Sequence, residues 1–382
     1  MPDPTALSVA ALLETFTDLD DPRRDHLKAY ALPDIMVLVV SGLLTACENW
    51  VEIADFGHAH AAWFQEQGLF PNGTPSHDTL GRVFRTLDAE MVQRCFANWV
   101  QRLVGDLHGV VAIDGKTSRA TSDGPDRPAI HTVSAYSTET GLTLAHTAVG
   151  EKSNEITAIP KVLDSLALKG CTATIDAMGC QKDIAQHIRS RGGDYLLQVK
   201  ANQPATLRSL EDFFSDAEQR KWNGISYTAA KTRDHGHGRD EIREAVACPV
   251  HGPWIDHHGW EDLHQIVRIR RTRTANGKTT TEDHYYITSE KAEAARLLTM
   301  ARQHWGIEAK THWVLDVAFN EDRCRVRKDH AAHNLVTMRR FVLNLLRRHP
   351  KPMGLRRRRK LASYNMEALG ELLRLAAVSP EG

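Results

Sequence analysis

Three acidic residues stand in sequence contexts that suit the chemistry of phosphodiester cleavage. Asp114 ends the apolar run 110–113, and Asp176 ends a second apolar run, 172–175. Glu308 lies far downstream in a helical pattern. Apolar runs that each end on Asp are typical of neighbouring buried strands, which can present both carboxylates at one edge of a sheet. A carboxylate from a nearby helix would complete a site for divalent ions, since hard oxygen ligands suit Mg²⁺ or Mn²⁺.

Each of these residues also has a simpler explanation. Asp after a strand is a frequent turn or helix-cap residue. His304 and His312 lie four residues to either side of Glu308 and share its helical face. This face predicts a metal-binding carboxylate flanked by phosphate-contacting histidines, or alternatively a zinc site made by the same three residues. The simplest alternative is an amphipathic helix with a solvated polar edge.

Length, composition and cysteine pattern describe an ordinary globular protein. The 382 residues suffice for two or three domains and a large core. The longest apolar run is too short to span a bilayer, and the N-terminus does not resemble a secretory signal. The six cysteines are scattered and form no CxxC pair, which favours a reducing compartment. We therefore expect a cytoplasmic protein without a membrane partner.

A net charge of zero hides an uneven distribution. Residues 1–100 hold 6 Lys and Arg against 14 Asp and Glu, whereas residues 296–360 hold 17 against 5. Such asymmetry predicts a polyanion, and hence nucleic acid, as the partner of the C-terminal part. Arg323 and Arg325 follow the helix of Glu308, and we expect them to contact phosphates.

The remaining C-terminal cations have less specific interpretations. Arg347 and Arg348 are more simply read as surface arginines of a helix, and 356–360 as part of a basic tail. Trp305 and Trp313 are spaced to share one helical face, and we expect them to anchor their helix in the core.

The pattern of apolar residues divides the chain into a helical part, a mixed part and a second helical part. Residues 8–105 read as mostly helical, including a buried helix at 35–46. From 109 onwards short strands are expected, followed by crossover helices at 156–166 and 181–190. The predicted strands are 110–113, 132–136, 142–149, 171–175 and 194–199. This order describes an α/β fold with a mixed sheet and helical cover.

Several motifs resemble those of bacterial insertion-sequence transposases of the DDE type, specifically the H-repeat-associated group. The resemblance covers nearly the whole chain and is most specific in the stretch 304–322, which contains HWGIE and HWVLDV. The other matching motifs are DDPRR at 20–24, WVEIADFG at 50–57, AIDGK at 112–116, TIDA at 174–177, KANQ at 200–203 and HGR at 237–239. One departure concerns the Glu motif, where related transposases often carry Tyr, Arg and Lys but this chain has Ala301, His304 and Leu315.

The resemblance implies an RNase H-like mixed-sheet catalytic core, a β-rich insertion and an N-terminal helical domain. The expected divisions are 1–105 (helical, for DNA-end binding or dimerisation), 106–204 (first part of the core), 205–290 (β-rich insertion), 291–350 (helical part of the core with Glu308) and 351–382 (basic tail). Asp114, Asp176 and Glu308 would then be catalytic and bind two Mg²⁺ or Mn²⁺ ions. The residues expected to contact DNA are Lys116, Asn202, Gln203, His237, Arg239, His304, His312, Arg323 and Arg325.

The implied function is binding of an element's inverted repeats, metal-dependent phosphodiester hydrolysis and strand transfer into target DNA. Two ions of this kind, about 3.5–4 Å apart, can activate a water or a 3′-hydroxyl and stabilise the leaving oxygen. The partners would be double-stranded DNA and a second copy of the chain in a synaptic complex. The alternative is a catalytically inactive or domesticated transposase that only binds DNA.

Overall fold

A computed structural model of the chain describes residues 6–124, 128–150, 153–236, 238–250 and 258–377. Within these ranges, one mixed sheet of nine strands forms the centre of the molecule. Its strands are β1 (Gly109–Ser118), β2 (Ile130–Ser137), β3 (Thr143–Ala148), β4 (Cys171–Ile175), β5 (Asp194–Val199), β6 (Thr228–Gly236), β7 (Arg239–Pro249), β8 (Gln265–Ala275) and β9 (Lys278–Thr288). Their order across the sheet is β3-β2-β1-β4-β5-β9-β8-β7-β6.

The half of the sheet that carries the aspartates combines two kinds of pairing. β1 pairs antiparallel with β2 and parallel with β4, and β4 pairs parallel with β5. The crossovers run through α7 (Glu155–Asp164) and α8 (Lys182–Ser190), as the sequence predicts. Because these strands are covered on both faces, β4 is buried along its whole length and reads as a continuous apolar run.

The N-terminal helices do not form an isolated unit. They are α1 (Ala6–Phe16), α2 (Leu32–Leu44), α3 (Trp50–Ala59), α4 (Ala61–Glu66), α5 (His77–Thr86) and α6 (Ala89–Val104). The apolar side chains of these helices belong to the same hydrophobic cluster as those of the sheet and the C-terminal helices. Trp99 of α6, for example, stacks on Phe341 with ring centroids 3.9 Å apart. A shared core of this kind fixes the N-terminal helices against the rest of the chain.

The predicted β-rich insertion begins with a helix. α9 (Pro204–Gln219) precedes the four strands β6 to β9, which form an antiparallel extension of the sheet. β9 pairs with β5, so the extension continues the central sheet without a break. Every other residue of β6 is exposed, because one face of this ribbon is open to solvent.

The segment predicted as helical at 291–349 is interrupted. It contains α10 (Ala294–His304), a π-helical turn (Glu308–His312), α11 (Trp313–Phe319) and α12 (Ala331–Arg348). The prediction that Trp305 and Trp313 anchor the helix in the core is wrong, since they are 46% and 61% exposed. The buried row instead contains Ile307, Thr311, Leu315 and Phe319. Both sets of residues are spaced by four along the helix. The set with tryptophans was predicted because large apolar side chains are usually buried.

The predicted basic tail at 351–382 is also corrected. Its described part folds into α13 (Leu355–Tyr364) and α14 (Met366–Arg374), whose apolar residues join the main core. Arg359, from the run of cations, is buried with its guanidinium over the Phe319 ring. No helix in the described ranges is long and apolar enough to cross a membrane.

Candidate active site

Asp114 and Asp176 lie next to each other at the level where β4 ends and β1 continues. In the parallel pairing of β1 with β4, Ile113 is opposite Ile175, and each aspartate follows directly. Asp114 is largely buried, with 18% of its side chain exposed. The Asp176 carboxylate accepts backbone N–H groups of Met178 (3.0 Å) and Gly179 (3.4 Å), which fixes the loop after β4.

The electrostatics of Asp114 indicate that acidic groups gather around it. Burial, together with the negative charges of Asp176, Glu155 and Glu308, raises the pKa of Asp114 to about 7. A hydrogen bond from the Gly115 backbone opposes this shift. The carboxylates are therefore close enough to disfavour ionisation of the most buried member of the group.

Glu308 approaches from the first residue of the π turn and is exposed. A π turn inserts one residue into a helix, and such insertions occur frequently at functional sites. Among the described residues, no Lys or Arg lies within ion-pair distance of Asp114, Asp176 or Glu308. Three carboxylates without a cationic partner suit a divalent cation, which would supply the missing positive charge.

The carboxylates do not form a closed metal cage. In the part of the chain that the structure describes, no three His, Cys, Asp or Glu side chains converge closely enough to hold an ion. This arrangement fits Mg²⁺, which keeps several waters and is bound by one or two carboxylates plus substrate phosphate. It does not fit the zinc site expected as an alternative from His304, Glu308 and His312, because the histidine side chains are buried whereas Glu308 is exposed.

The expectation that the two histidines contact DNA phosphates is wrong. Burial lowers the pKa of His304 to about 4 and that of His312 to about 3, so both imidazoles are neutral. His304 Nδ1 hydrogen-bonds to Thr174 Oγ1 (3.1 Å), and His312 Nδ1 lies 3.5 Å from Asp114 Oδ2. Their neutral rings line the inner side of the site.

Sequence reasoning missed a fourth carboxylate, Glu155, which begins α7. Glu155 Oε1 hydrogen-bonds to His131 Nε2 (2.6 Å), and His131 Nδ1 hydrogen-bonds to Thr117 Oγ1 (2.8 Å). A Cβ atom at position 115 would collide with both Glu155 and His131, which explains the glycine after Asp114. That glycine was the only sequence signal of a close approach, and it did not identify the partner.

A groove lined with arginines opens beside Glu308 on the strands of the insertion. We call it the arginine groove; it has a volume of about 540 Å³, and its cationic residues are Arg239, Arg243, Arg271 and Arg302. The buried carboxylate of Glu241 pairs with Arg243 (2.6 Å) and with Arg271. Arg239 is exposed and has no ion-pair partner among the described residues. Of these four, the sequence predicted a DNA contact for Arg239 alone.

Lys116 is not available for the predicted DNA contact. Its side chain is 5% exposed, and its Nζ lies 2.7 Å from Asp316, 3.2 Å from Asp322 and 3.8 Å from Glu321. Three carboxylates therefore surround the ammonium group, and DNA cannot reach it.

Asn202 and Gln203 make protein contacts beside the site. The Asn202 amide donates to the carbonyl of Ala177 (2.6 Å), and the Gln203 amide donates to that of Cys180 (2.9 Å). Both bonds hold the loop that follows Asp176. In this structure the two side chains therefore support Asp176, which differs from the DNA contact that the sequence predicts for them.

The remaining predicted DNA contacts lie at different places. Arg323 and Arg325 are exposed and line a separate cleft with Glu48 and Asn49, outside the arginine groove. His237 lies outside the described residues. The exposure of Arg323 and Arg325 leaves them accessible to a ligand, so their contact with DNA stays a prediction.

The family of the chain follows from comparison with known proteins. The model of the "Transposase DDE domain" matches residues 105–345, and that of the "DDE_Tnp_1-associated" region matches residues 13–100. The chain belongs to the DDE transposases of bacterial insertion sequences, as its motifs predict.

Full-length relatives have the same description. The "H repeat-associated putative transposase YhhI" of Escherichia coli K12 is 36% identical over 375 residues, which cover 96% of this chain and 98% of the relative. The "Putative transposase YncI" of Escherichia coli O157:H7 is 36% identical over 374 residues, covering 96% and 95%. A piggyBac transposase from a synaptic complex with hairpin DNA aligns with all of this chain and 83% of its own. Its TM-score of 0.43 and identity of 10% are too low to support an argument.

Proposed function

We propose that this protein is a metal-dependent DNA transposase that binds the ends of its own element, hydrolyses a phosphodiester there and transfers the strand to target DNA. The observation that carries the proposal is the placement of Asp114, Asp176 and Glu308. Asp114 lies within β1, Asp176 directly follows the parallel neighbour β4, and the glutamate approaches from a π turn. None of the three has a Lys or Arg partner among the described residues. Membership of the DDE transposases supports the same reaction.

The central half of the sheet supports an RNase H-like interpretation of the fold. Three antiparallel strands followed by two parallel ones, in the order β3-β2-β1-β4-β5, are the arrangement that such a core requires. In this interpretation, α9 and strands β6 to β9 are an insertion between β5 and the segment that carries Glu308.

Asp114, Asp176 and Glu308 would hold two Mg²⁺ or Mn²⁺ ions. When bound, such ions activate the attacking water or 3′-hydroxyl and stabilise the leaving oxygen. The protein's own contribution is to position the carboxylates. Because the pKa of Asp114 is raised to about 7, its proton must leave before the carboxylate can act as a ligand.

The arginine groove would guide a DNA strand towards Glu308. It adjoins Glu308 directly, and exposed guanidinium groups bind phosphates without reading sequence. Arg239 is the best candidate for a direct contact, since no carboxylate of the described residues neutralises it. Arg323 and Arg325 would contact a second DNA segment.

The assembly proposed for this reaction is a homodimer that brings two element ends together. The N-terminal helices would read those ends or pair the protomers. We place this complex in the bacterial cytoplasm, associated with the nucleoid when bound to DNA.

The decisive experiment is cleavage of labelled DNA that carries the element's own ends, in Mg²⁺ or Mn²⁺. Wild-type protein should nick at the end of the element, while Asp114→Asn, Asp176→Asn and Glu308→Gln should each abolish cleavage and retain most DNA binding. Near-wild-type cleavage by any one variant removes that residue from the site. DNA binding without cleavage by wild type in either metal would favour the inactive or domesticated DNA-binding protein.

A further inference from the structure

A ladder of polar contacts joins the strand that carries Asp114 to the segment that carries Glu308. Alternate residues of β1 point to the same face of the sheet, so Asp114, Lys116 and Ser118 form one row. Their contact partners are residues 312, 316 and 321, so the partners follow the same order along the chain as the residues of β1. We call these three contacts the ladder: Asp114 with His312 (3.5 Å), Lys116 with Asp316 (2.7 Å) and Ser118 with Glu321 (3.1 Å).

Lys116 is the central member of the ladder and is its only cation. Its ammonium group is within 4 Å of Asp316, Asp322 and Glu321. A buried charge is tolerated only where other charges or hydrogen bonds replace the lost water. The side chain therefore holds the middle of α11, through Asp316, and the turn after α11, through Glu321 and Asp322, against β1.

The π turn is also held from its other side. Arg347 of α12 donates a hydrogen bond to the carbonyl of Lys310 and contacts Thr311 Oγ1 at 3.4 Å. A π turn leaves backbone groups without their usual helical partners, and this contact satisfies one of them. The side chain of Glu308 has no hydrogen bond or ion pair among the described residues, whereas its backbone carbonyl accepts the N–H of Trp313. Its position is therefore set by the backbone of its turn.

We propose that Lys116 is a positioning residue of the active site, which acts through Asp316 to fix the register between Glu308 and Asp114. The proposal rests on the proposed function, because it assumes that these two carboxylates share divalent ions. Lys116 touches neither the ions nor DNA in this assignment. Its effect is to keep the two ligand-bearing segments from sliding relative to each other.

A register shift would weaken metal binding even in folded protein. Residues that orient metal ligands from behind typically contribute tenfold or more to metal affinity. A residue with a merely structural role would instead change the unfolding temperature and leave the affinity of the folded protein unaltered. The two roles can therefore be separated by measuring Mn²⁺ affinity and stability independently.

The test is to measure the affinity for Mn²⁺ in the absence of DNA, for wild type and four variants of the full chain. Calorimetry or electron paramagnetic resonance provides the measurement. Lys116→Met removes the cation, and Asp316→Asn weakens the same contact while leaving Lys116 two carboxylates. Lys310→Met is the matched control, since it makes the same substitution at an exposed lysine of the π turn. Asp176→Asn reports on the metal site itself.

We expect Asp176→Asn to abolish Mn²⁺ binding, Lys116→Met and Asp316→Asn to weaken it about tenfold or more, and Lys310→Met to leave it unchanged. If Asp176→Asn binds Mn²⁺ as wild type does, the proposed metal site fails, and this inference fails with it. If Asp176→Asn loses binding but Asp316→Asn and folded Lys116→Met keep wild-type affinity, only the positioning role is refuted. Should Lys116→Met not fold, Asp316→Asn alone decides.

Discussion

The two sides of the segment that carries Glu308 use charge in opposite ways. On the inner side, facing β1 and α12, Lys116, Glu321 and Arg340 are enclosed, and both Glu321 and Arg340 are fully buried. On the outer side, the arginine groove leaves Arg239 and Arg302 open to solvent. The charged residues on the inner side are thus paired within the protein, whereas those on the outer side are available to a ligand.

This difference determines what removal of a charge should change. An enclosed charge is compensated only by its protein partners, so its loss should appear in stability. An accessible charge is already hydrated, so its loss should appear in the binding of polyanions and in the salt dependence of that binding. The variants below test whether the two sides separate in this way.

The largest effect is expected for Arg340→Met. Arg340 contacts Glu321 Oε2 (3.5 Å) and donates to Thr132 Oγ1 (3.0 Å), and its loss would leave Glu321 as a buried charge with less compensation. We expect the free energy of unfolding to fall by roughly 3–5 kcal/mol in urea titrations. Arg357→Met, at an exposed position, is the control and should change stability little. A loss under about 1 kcal/mol for Arg340→Met would contradict the structural role of the inner side.

For Asp114→Asn without metal we expect a smaller change in the free energy of unfolding, and an increase where Arg340→Met causes a decrease. The pKa of Asp114 is about 7 in the folded protein, well above its ordinary value of 3.8. Ionisation therefore costs stability progressively as pH rises from about 4 to about 7, and the cost is complete above pH 7. At pH 8, Asp114→Asn should be more stable than wild type by roughly 2–4 kcal/mol, since one pKa unit corresponds to about 1.4 kcal/mol.

Thermal unfolding at pH 8 and pH 3 checks this prediction. The stability gain of Asp114→Asn should vanish at pH 3, where wild-type Asp114 is protonated in both states. Added Mg²⁺ should stabilise wild type more than the variant. A variant less stable than wild type at pH 8 would mean that the folded protein does not disfavour ionisation of Asp114.

The sequence predicted the strands of the central sheet well, for a physical reason. The apolar run 110–113 of β1 and the run 172–175 of β4 were visible because a strand covered on both faces needs such a run. The polar second half of β1, from Asp114 to Ser118, was not predicted. The crossover helices were predicted from local periodicity in the same way. These features depend on residues close together in the chain, which a single sequence records directly.

Which charged residues are buried and which are exposed could not be predicted, because their burial depends on contacts between residues far apart in the chain. Lys116 and Asp316 are 200 residues apart in sequence and 2.7 Å apart in space. Among consecutive cations, Arg357 is exposed and Arg359 is buried, although both read as part of one basic run. Glu155 belongs to no motif and approaches Asp114 only because α7 packs against β2 and β3, beside β1.

On the outer side, Arg239→Ala combined with Arg302→Ala should weaken DNA binding with little change in stability. Each lost phosphate contact should reduce the slope of log affinity against log salt by about one unit, so the pair should reduce it by about two. Lys278→Ala is the control, because Lys278 is exposed on the same sheet but does not line the groove. Titrations of labelled duplex at several salt concentrations provide the measurement. An unchanged slope would mean that the groove does not hold DNA.

The smallest effect on DNA binding is expected for Arg323→Ala. This variant tests whether an exposed charge outside the arginine groove also contacts DNA. Arg323 is exposed and has no ion-pair partner among the described residues, so its removal should leave the unfolding temperature unaltered. If it contacts one phosphate, the salt slope should fall by about one unit. Arg325→Ala, in the same cleft, should behave alike if the DNA runs along both residues. A normal slope for both variants would mean that the cleft of Arg323 and Arg325 does not hold DNA, and the arginine groove would remain the surface proposed to guide a strand to the carboxylates.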